Sequence, residues 1–340
     1  MKLVVFGPDR RLGALRGDAV IDLSLASAKF LRERRGERYP HGEAERRVPP
    51  DLRRFIEAGP AALEDAERAL EHLGGAGPQD EPALVHALSE SVLHAPLPRG
   101  ARVACAGANF ADHAVAMAVK MRGNAPGPAL TEAEARAQQR KQGIRGFWKI
   151  GGDPSGQDGE LIYPSWSERL DYEGEIAILL GKCGKDIKAR DARGFIWGAT
   201  LLADWSIRRP HEQNPGSRFA TSKNFDGAFS MGPCIAVGEL DPFDAQVETW
   251  VNGERRQHYS TKNMVFDFAE YLEYLSTDFT FRPGDVISGG TAAGTAADSS
   301  TLLPDKSYPP DRFLKPGDRA EIRSPQIGTL RTRVMAKPAC

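Results

Sequence analysis

The segment Leu170-Asp171-Tyr172-Glu173-Gly174-Glu175-Ile176-Ala177-Ile178-Leu179-Leu180-Gly181 constrains the fold more than any other stretch of the chain. Apolar residues fill its second half and a glycine closes it, so it reads as a strand. Side chains alternate faces along a strand, which puts Asp171, Glu173 and Glu175 on one side. Carboxylates lined up on one sheet face repel one another and are costly to desolvate unless a cation neutralises them. Oxygen ligands of this kind suit Mg²⁺, Mn²⁺ or Ca²⁺ rather than zinc. A further carboxylate is then needed, and Asp204 is placed to supply it, because it follows the apolar run before Ala203 at the expected end of a second strand. On the Glu-x-Glu pattern alone, a solvated edge strand with scattered acids is the simpler reading.

Composition narrows the function classes. The chain has 340 residues and a formal net charge of −1, which argues against a nucleic-acid surface or a polybasic membrane anchor. Its 27% charged and 41% hydrophobic residues fit a globular protein without a membrane partner. The apolar run at the N-terminus is too short for a signal peptide, and no run approaches transmembrane length. Cys105, Cys183, Cys234 and Cys340 are far apart and form no CxxC pair, as expected for reduced thiols in a cytoplasmic protein.

Residues 2–22 read as short strands with turns at Gly7-Pro8-Asp9 and Arg16-Gly17-Asp18. Helices are expected over Asp51–Ala58 and Ala61–Leu73, the second punctuated by Pro60 and Gly74. A proline-bearing connector over 78–98 separates a small N-terminal α/β domain, 1–95, from a larger domain, 96–340. Thr131-Glu132-Ala133-Glu134 has the capping-box pattern and opens a polar helix to about Gln142. The surrounding 120–146 reads as an insertion, either a mobile lid or a dimer contact. Strands dominate afterwards, over Ile196–Ala203, Pro233–Val237 and Gln246–Val251, with Asn252-Gly253 as a hairpin turn into Glu254–His258. Met264–Leu275 reads as an amphipathic helix. The class is α+β and strand-rich, and the scarcity of intervening helices excludes a doubly wound parallel sheet.

Seven segments, in order, together resemble the fumarylacetoacetate hydrolase family. They are Gly107-Ala108-Asn109-Phe110-Ala111-Asp112-His113, the segment Asp171–Ala177, Ala203-Asp204-Trp205-Ser206-Ile207-Arg208, Lys223-Asn224-Phe225-Asp226, Met231-Gly232-Pro233, the segment Val251–Gln257, and Pro283–Thr291. The resemblance spans 103–335. It implies a mixed β-sandwich roll, a homodimer, and a divalent metal held by Glu173, Glu175 and Asp204. It assigns catalytic roles to His113, Lys149 and Lys223, and substrate binding to Arg208, Lys223 and Thr291. Three positions depart from the family pattern. Ala116 stands where short members carry a glutamate that pairs with the histidine. Arg208-Arg209-Pro210-His211 replaces Arg-Asp-x-Gln, and Gly290-Thr291-Ala292 replaces Gly-Thr-Pro.

Substrates of the family are small 2-oxo or 1,3-diketo acids whose adjacent oxygens can chelate a metal that keeps open positions. The resemblance therefore implies a metal-dependent hydrolase that cleaves a carbon–carbon bond of an acylpyruvate-like or diketo acid. The alternatives are a lyase, either a decarboxylase of a 2-oxo diacid or a dehydratase of a 2-keto-3-deoxy sugar acid, and an isomerase. An imidazole titrates near neutrality and suits His113 to acid–base work. With Ala116 unable to orient it, Glu132 or Glu134 on the insertion helix is the expected partner. Without the family context, His113 would be an ordinary helix-start histidine, and Lys149 beside Trp148 could be a snorkelling side chain. Trp148, Trp166, Trp205, His258 and Tyr259 read as packing residues.

Overall fold

The computed structural model describes residues 1–122, 130–150, 153–165, 169–208, 221–300, 303 and 309–338. Among them, two sheets form a sandwich. The larger has eleven strands, running Val85–Ala87, Ala19–Asp22, Arg11–Arg16, Lys2–Phe6, Phe229–Ala236, Ile196–Asp204, Gly174–Leu180, Val286–Ser288, Val103–Ala106 and Gly146–Lys149, with Leu93–His94 pairing on Lys2–Phe6. The smaller has five, in the order Glu254–Ser260, Gln246–Val251, Arg319–Ser324, Gly328–Met335 and Gly159–Ile162. This is the strand-rich mixed fold expected of the chain, and the Asn252-Gly253 hairpin sits where the sequence places it.

The strand Gly174–Leu180 lies at the centre and is buried along its whole length. Ile176 and Ile178 face the smaller sheet, in a core that also holds Val247, Ile322 and Leu330. Ala177 and Leu179 face the other way, toward Leu52, Phe55 and Ile56 of the N-terminal helices. Burial on both faces explains why this strand is apolar at every position after Glu175.

Two helices, Leu23–Arg35 and Pro40–Arg47, were not among the expected elements. The first is polar and weakly periodic, and Asp22 opens it by accepting a hydrogen bond from the Leu25 amide at 2.9 Å. The helix expected over Met264–Leu275 begins only at Phe268 and runs to Ser276. There Asp267 and Glu270 close a capping box, which fixes the start later than hydrophobic periodicity alone would.

The N-terminal strands do not form a sheet of their own. Lys2 and Leu3 pair with Ala236 and Ile235, so the large sheet runs unbroken across position 95. The insertion helix Glu132–Gln142 is also fastened to the body. Ala135 is buried with Ala111 and Val265, and Arg136 donates to the carbonyls of Asn263 and Met264. The rest of the insertion, at 123–129, lies outside the described residues, as do Arg209, Pro210, His211 and Trp166.

Candidate active site and metal centre

The expected strand Leu170–Gly181 is interrupted. Leu170–Asp171 pairs with Ser206–Ile207 in a separate two-stranded ribbon, and the central strand starts only at Gly174. The chain turns between them because the Asp171 side chain accepts from the Tyr172 amide at 2.9 Å. Gly174 also passes hard against the smaller sheet, where a Cβ would sit 2.2 Å from Thr249 Oγ1. Glycine between the two glutamates is thus a steric requirement.

Glu173, Glu175 and Asp204 converge as anticipated. They are buried, and a carboxylate oxygen of each lies within 4.8 Å of those of the other two. Asp204 ends its strand, and its amide donates to the Glu173 carbonyl at 2.8 Å. Asp171 does not join them. Its carboxylate turns to Arg208 and to the amides of Ala296 and Ala297, because the break at Tyr172 ends the alternation.

Cations surround the group. Lys223 Nζ donates to Glu173 at 2.6 Å, to Asp204 at 2.8 Å and to the Ser206 hydroxyl. Lys149 Nζ lies 2.6 Å from Asp204 Oδ1 and donates to the carbonyls of Lys223 and Ala228. Two main-chain hydrogen bonds and this ion pair fix Lys149 behind Asp204. Arg208 bridges Asp171 and Glu173.

Burial would raise the Glu173 pKa, but the charges of Lys223 and Arg208 hold it well below the usual carboxylate range. Glu175 behaves oppositely. Burial, and then the charges of Asp204 and Glu173, push it well above that range. Its carboxylate accepts from the Ser288 hydroxyl and has no ion pair among the described residues. Four carboxylates here (Asp171, Glu173, Glu175, Asp204) face three cations (Lys149, Lys223, Arg208). An all-oxygen donor set with one uncompensated acid fits a hard divalent cation.

His113 starts the helix Ala111–Arg122, and its Nδ1 lies 2.7 Å from Asp298 Oδ2. Asp298, rather than Glu132 or Glu134, is therefore the partner carboxylate. Glu134 is spent on the capping box with Thr131, and both glutamates are exposed. Asp298 was detectable in principle, since Thr295-Ala296-Ala297-Asp298 has a helix-opening pattern and Thr295 does cap Asp298. What no local pattern gives is that its carboxylate faces a histidine 185 residues away. Burial works against a charged ring, but the hydrogen bond and charge of Asp298 outweigh it and raise the His113 pKa. The charge of Glu173 acts on the ring in the same direction and that of Arg208 against it.

Thr291 lies beside the glutamates. Its hydroxyl donates to the Gly174 carbonyl at 3.0 Å and accepts from Gln257 at 2.8 Å. Tyr259 also donates to that carbonyl. The hairpin residues thus brace the Glu-Gly-Glu turn from the second sheet.

Residues 102–335 match the family model for the fumarylacetoacetate hydrolase C-terminal domain. The chain belongs to the fumarylacetoacetate hydrolase family. This is a family of enzymes. The chain is 31% identical over 263 residues to the oxaloacetate tautomerase YisK of Bacillus subtilis (strain 168), covering 76% of this chain and 78% of that one. It is 30% identical over 290 residues to a mitochondrial oxaloacetate tautomerase of Homo sapiens, covering 85% and 81%. The solved fumarylacetoacetate hydrolase from Exiguobacterium antarcticum superposes with a TM-score of 0.68 at 25% identity, covering 99% of this chain and 100% of that one. No helix among the described residues is long and apolar enough to cross a membrane.

Proposed function

We propose that this member of the family interconverts the keto and enol forms of a small 2-oxo dicarboxylic acid, with oxaloacetate as the first substrate to test. The observation that carries the reading is the His113–Asp298 pair, linked through the helix Ala296–Ser299, Asp171 and Arg208 to Glu173 of the clustered carboxylates. The two tautomerase relatives support the substrate class. Mg²⁺ or Mn²⁺ is the proposed cation, with Ca²⁺ compatible with the same oxygen donors. Bound there, it would polarise the keto oxygen and stabilise enolate charge.

The chain's own residues supply the proton path. With a carboxylate at Nδ1, the neutral ring keeps its proton there and offers Nε2 as the base. His113 takes a proton from the carbon beside the keto group and returns it to the oxygen, or the reverse. Asp298 stabilises the imidazolium between the two transfers. Lys223 and Arg208 are proposed to draw the substrate's carboxylates toward the site, and Thr291 to line the carbonyl side. Lys149 is proposed to hold Asp204.

Hydrolysis of a diketo acid is the second reading, and a specific observation favours keeping it. Asp298 gives His113 the carboxylate that Ala116 does not, and such a pair can equally take a proton from water. The homodimer implied by the family resemblance is proposed too and is read by light scattering. The deciding experiment follows the ultraviolet absorbance of enol oxaloacetate with Mg²⁺ or Mn²⁺, beside acylpyruvates in ¹⁸O-water. Ketonisation faster than in buffer supports the tautomerase. Label appearing in a new carboxylate, without faster ketonisation, replaces it with the hydrolase. Pyruvate and carbon dioxide as products would make the chain a decarboxylase.

A further inference from the structure

We infer that Asp171 is a positioning residue that holds the proton-transfer pair and Arg208 in register with the metal carboxylates. The inference rests on the functional reading above for its kinetic arm only.

Asp171 is fully buried and serves three elements at once. Oδ1 accepts from the amides of Tyr172 at 2.9 Å and Ala296 at 2.6 Å. Oδ2 accepts from the Ala297 amide at 3.1 Å and from Arg208 Nε at 2.8 Å. Both oxygens face donors only, so the group serves as an anion. Ala296 and Ala297 open the short helix Ala296–Ser299, whose Asp298 meets His113. Arg208 in turn reaches Glu173. One carboxylate therefore fixes where the helix that aims Asp298 begins and where the guanidinium beside Glu173 lies. No other carboxylate among the described residues touches the amides of Ala296 and Ala297.

The chemistry makes an amide a poor substitute. Asparagine matches the size, but its NH₂ must face either the two amides or the guanidinium. Donor then meets donor, and the helix start or Arg208 must shift. Displacing a reacting group by about 1 Å costs on the order of 10²-fold in rate.

The test uses the full chain with ¹⁵N-histidine labelling. In wild type, the Nδ1 proton of His113 should appear far downfield, as expected for a proton shared with a buried carboxylate. In Asp171→Asn that signal should be lost or moved upfield at a temperature well below the melting point. In turnover of oxaloacetate, kcat should fall on the order of tenfold or more, and any displacement of Arg208 should show separately as a rise in KM. The double variant with His113→Ala should lose less than the product of the two single losses, because the part of the Asp171 effect that runs through Asp298 is already gone. Ala296→Pro replaces one donor to Asp171 by a ring carbon pressed against its carboxylate, at a first-turn position whose backbone tolerates proline. It should give a loss of the same kind and decides the matter if Asp171→Asn does not fold. An unchanged His113 signal in the variants, or losses that multiply in full with His113→Ala, would overturn the inference. If wild type turns over no 2-oxo or diketo acid, the functional reading fails and the resonance arm alone judges Asp171.

Discussion

The half-buried pair of His113 and Asp298 shows how a side chain's role depends on a partner that its own sequence neighbourhood does not contain. His113→Ala should lower turnover by a factor on the order of 10² or more with the fold intact. Near-normal activity would remove His113 from the mechanism. Asp298→Asn tests the electrostatics. In the wild-type metal-free protein, the ring should titrate above its ordinary 6.5, and the variant should bring it down, because burial alone lowers it. A histidine raised in the folded state contributes stability below 6.5 and loses it as pH rises through the folded value, so Asp298→Asn should cost most at acid pH. Imidazole shifts and melting curves across pH 5–9 check both, and equal titration in the two proteins would show that Asp298 does not set the ring. The two lysines divide in the same way. Lys149 and Lys223 both touch Asp204, yet Lys149 spends its remaining donors on main-chain carbonyls while Lys223 also holds Glu173.

At the scale of elements, the Glu-Gly-Glu segment carries the site because the strand bends away from the ribbon immediately before it. Gly174→Ala would push a Cβ into Thr249 Oγ1 and against Ile322. Overpacking of this kind costs about 1–3 kcal/mol, and here it should also weaken metal binding, because the glutamates flank the displaced residue. Adding Thr249→Ala should restore most of the stability and affinity. No rescue would show that the turn is set by something other than this contact. The insertion helix Glu132–Gln142 should behave as part of the body. Gln139 is buried and donates to the Ala108 carbonyl, and Arg140 pairs with Glu270. Its amides should therefore exchange slowly with or without ligand, and exchange within seconds would revive the mobile cover expected from its polar sequence. These elements mark what was legible beforehand. Alternation and turn chemistry located the central strand and the Asn252-Gly253 hairpin, and the family resemblance singled out Glu173, Glu175 and Asp204, whose carboxylates the fold brings together. Asp171 was misplaced because alternation holds only while a strand continues. Asp298 was missed because its meeting with His113 is a tertiary contact across 185 residues.

At the scale of the molecule, the cluster of Glu173, Glu175 and Asp204 lies at the start of a strand buried between two cores, so its charge is a property of the whole fold. The sheet that carries it extends into the first 22 residues, and the N-terminal helices pack on its far face. Cation binding should therefore be read as global stability. A ligand at a hundredfold excess over Kd adds about 2.7 kcal/mol. Without the cation, Glu175 carries a cost instead. A buried acid raised above its ordinary 4.5 binds its proton more tightly when folded than when unfolded, so stability falls as pH climbs from 4.5 toward the raised value. Glu175→Gln mimics the protonated acid in shape and cannot ionise. The metal-free variant should match wild type at acid pH and exceed it at neutral pH, while losing the stabilisation that Mg²⁺ or Mn²⁺ gives. In wild type that stabilisation should shrink as pH falls, because proton and metal compete for the same carboxylate. Melting temperatures for both proteins, with and without cation from pH 5 to 8, check all of these. A metal-free variant less stable than wild type at neutral pH would mean that Glu175 has a compensating partner other than the cation. A metal response that survives the substitution would place the cation elsewhere.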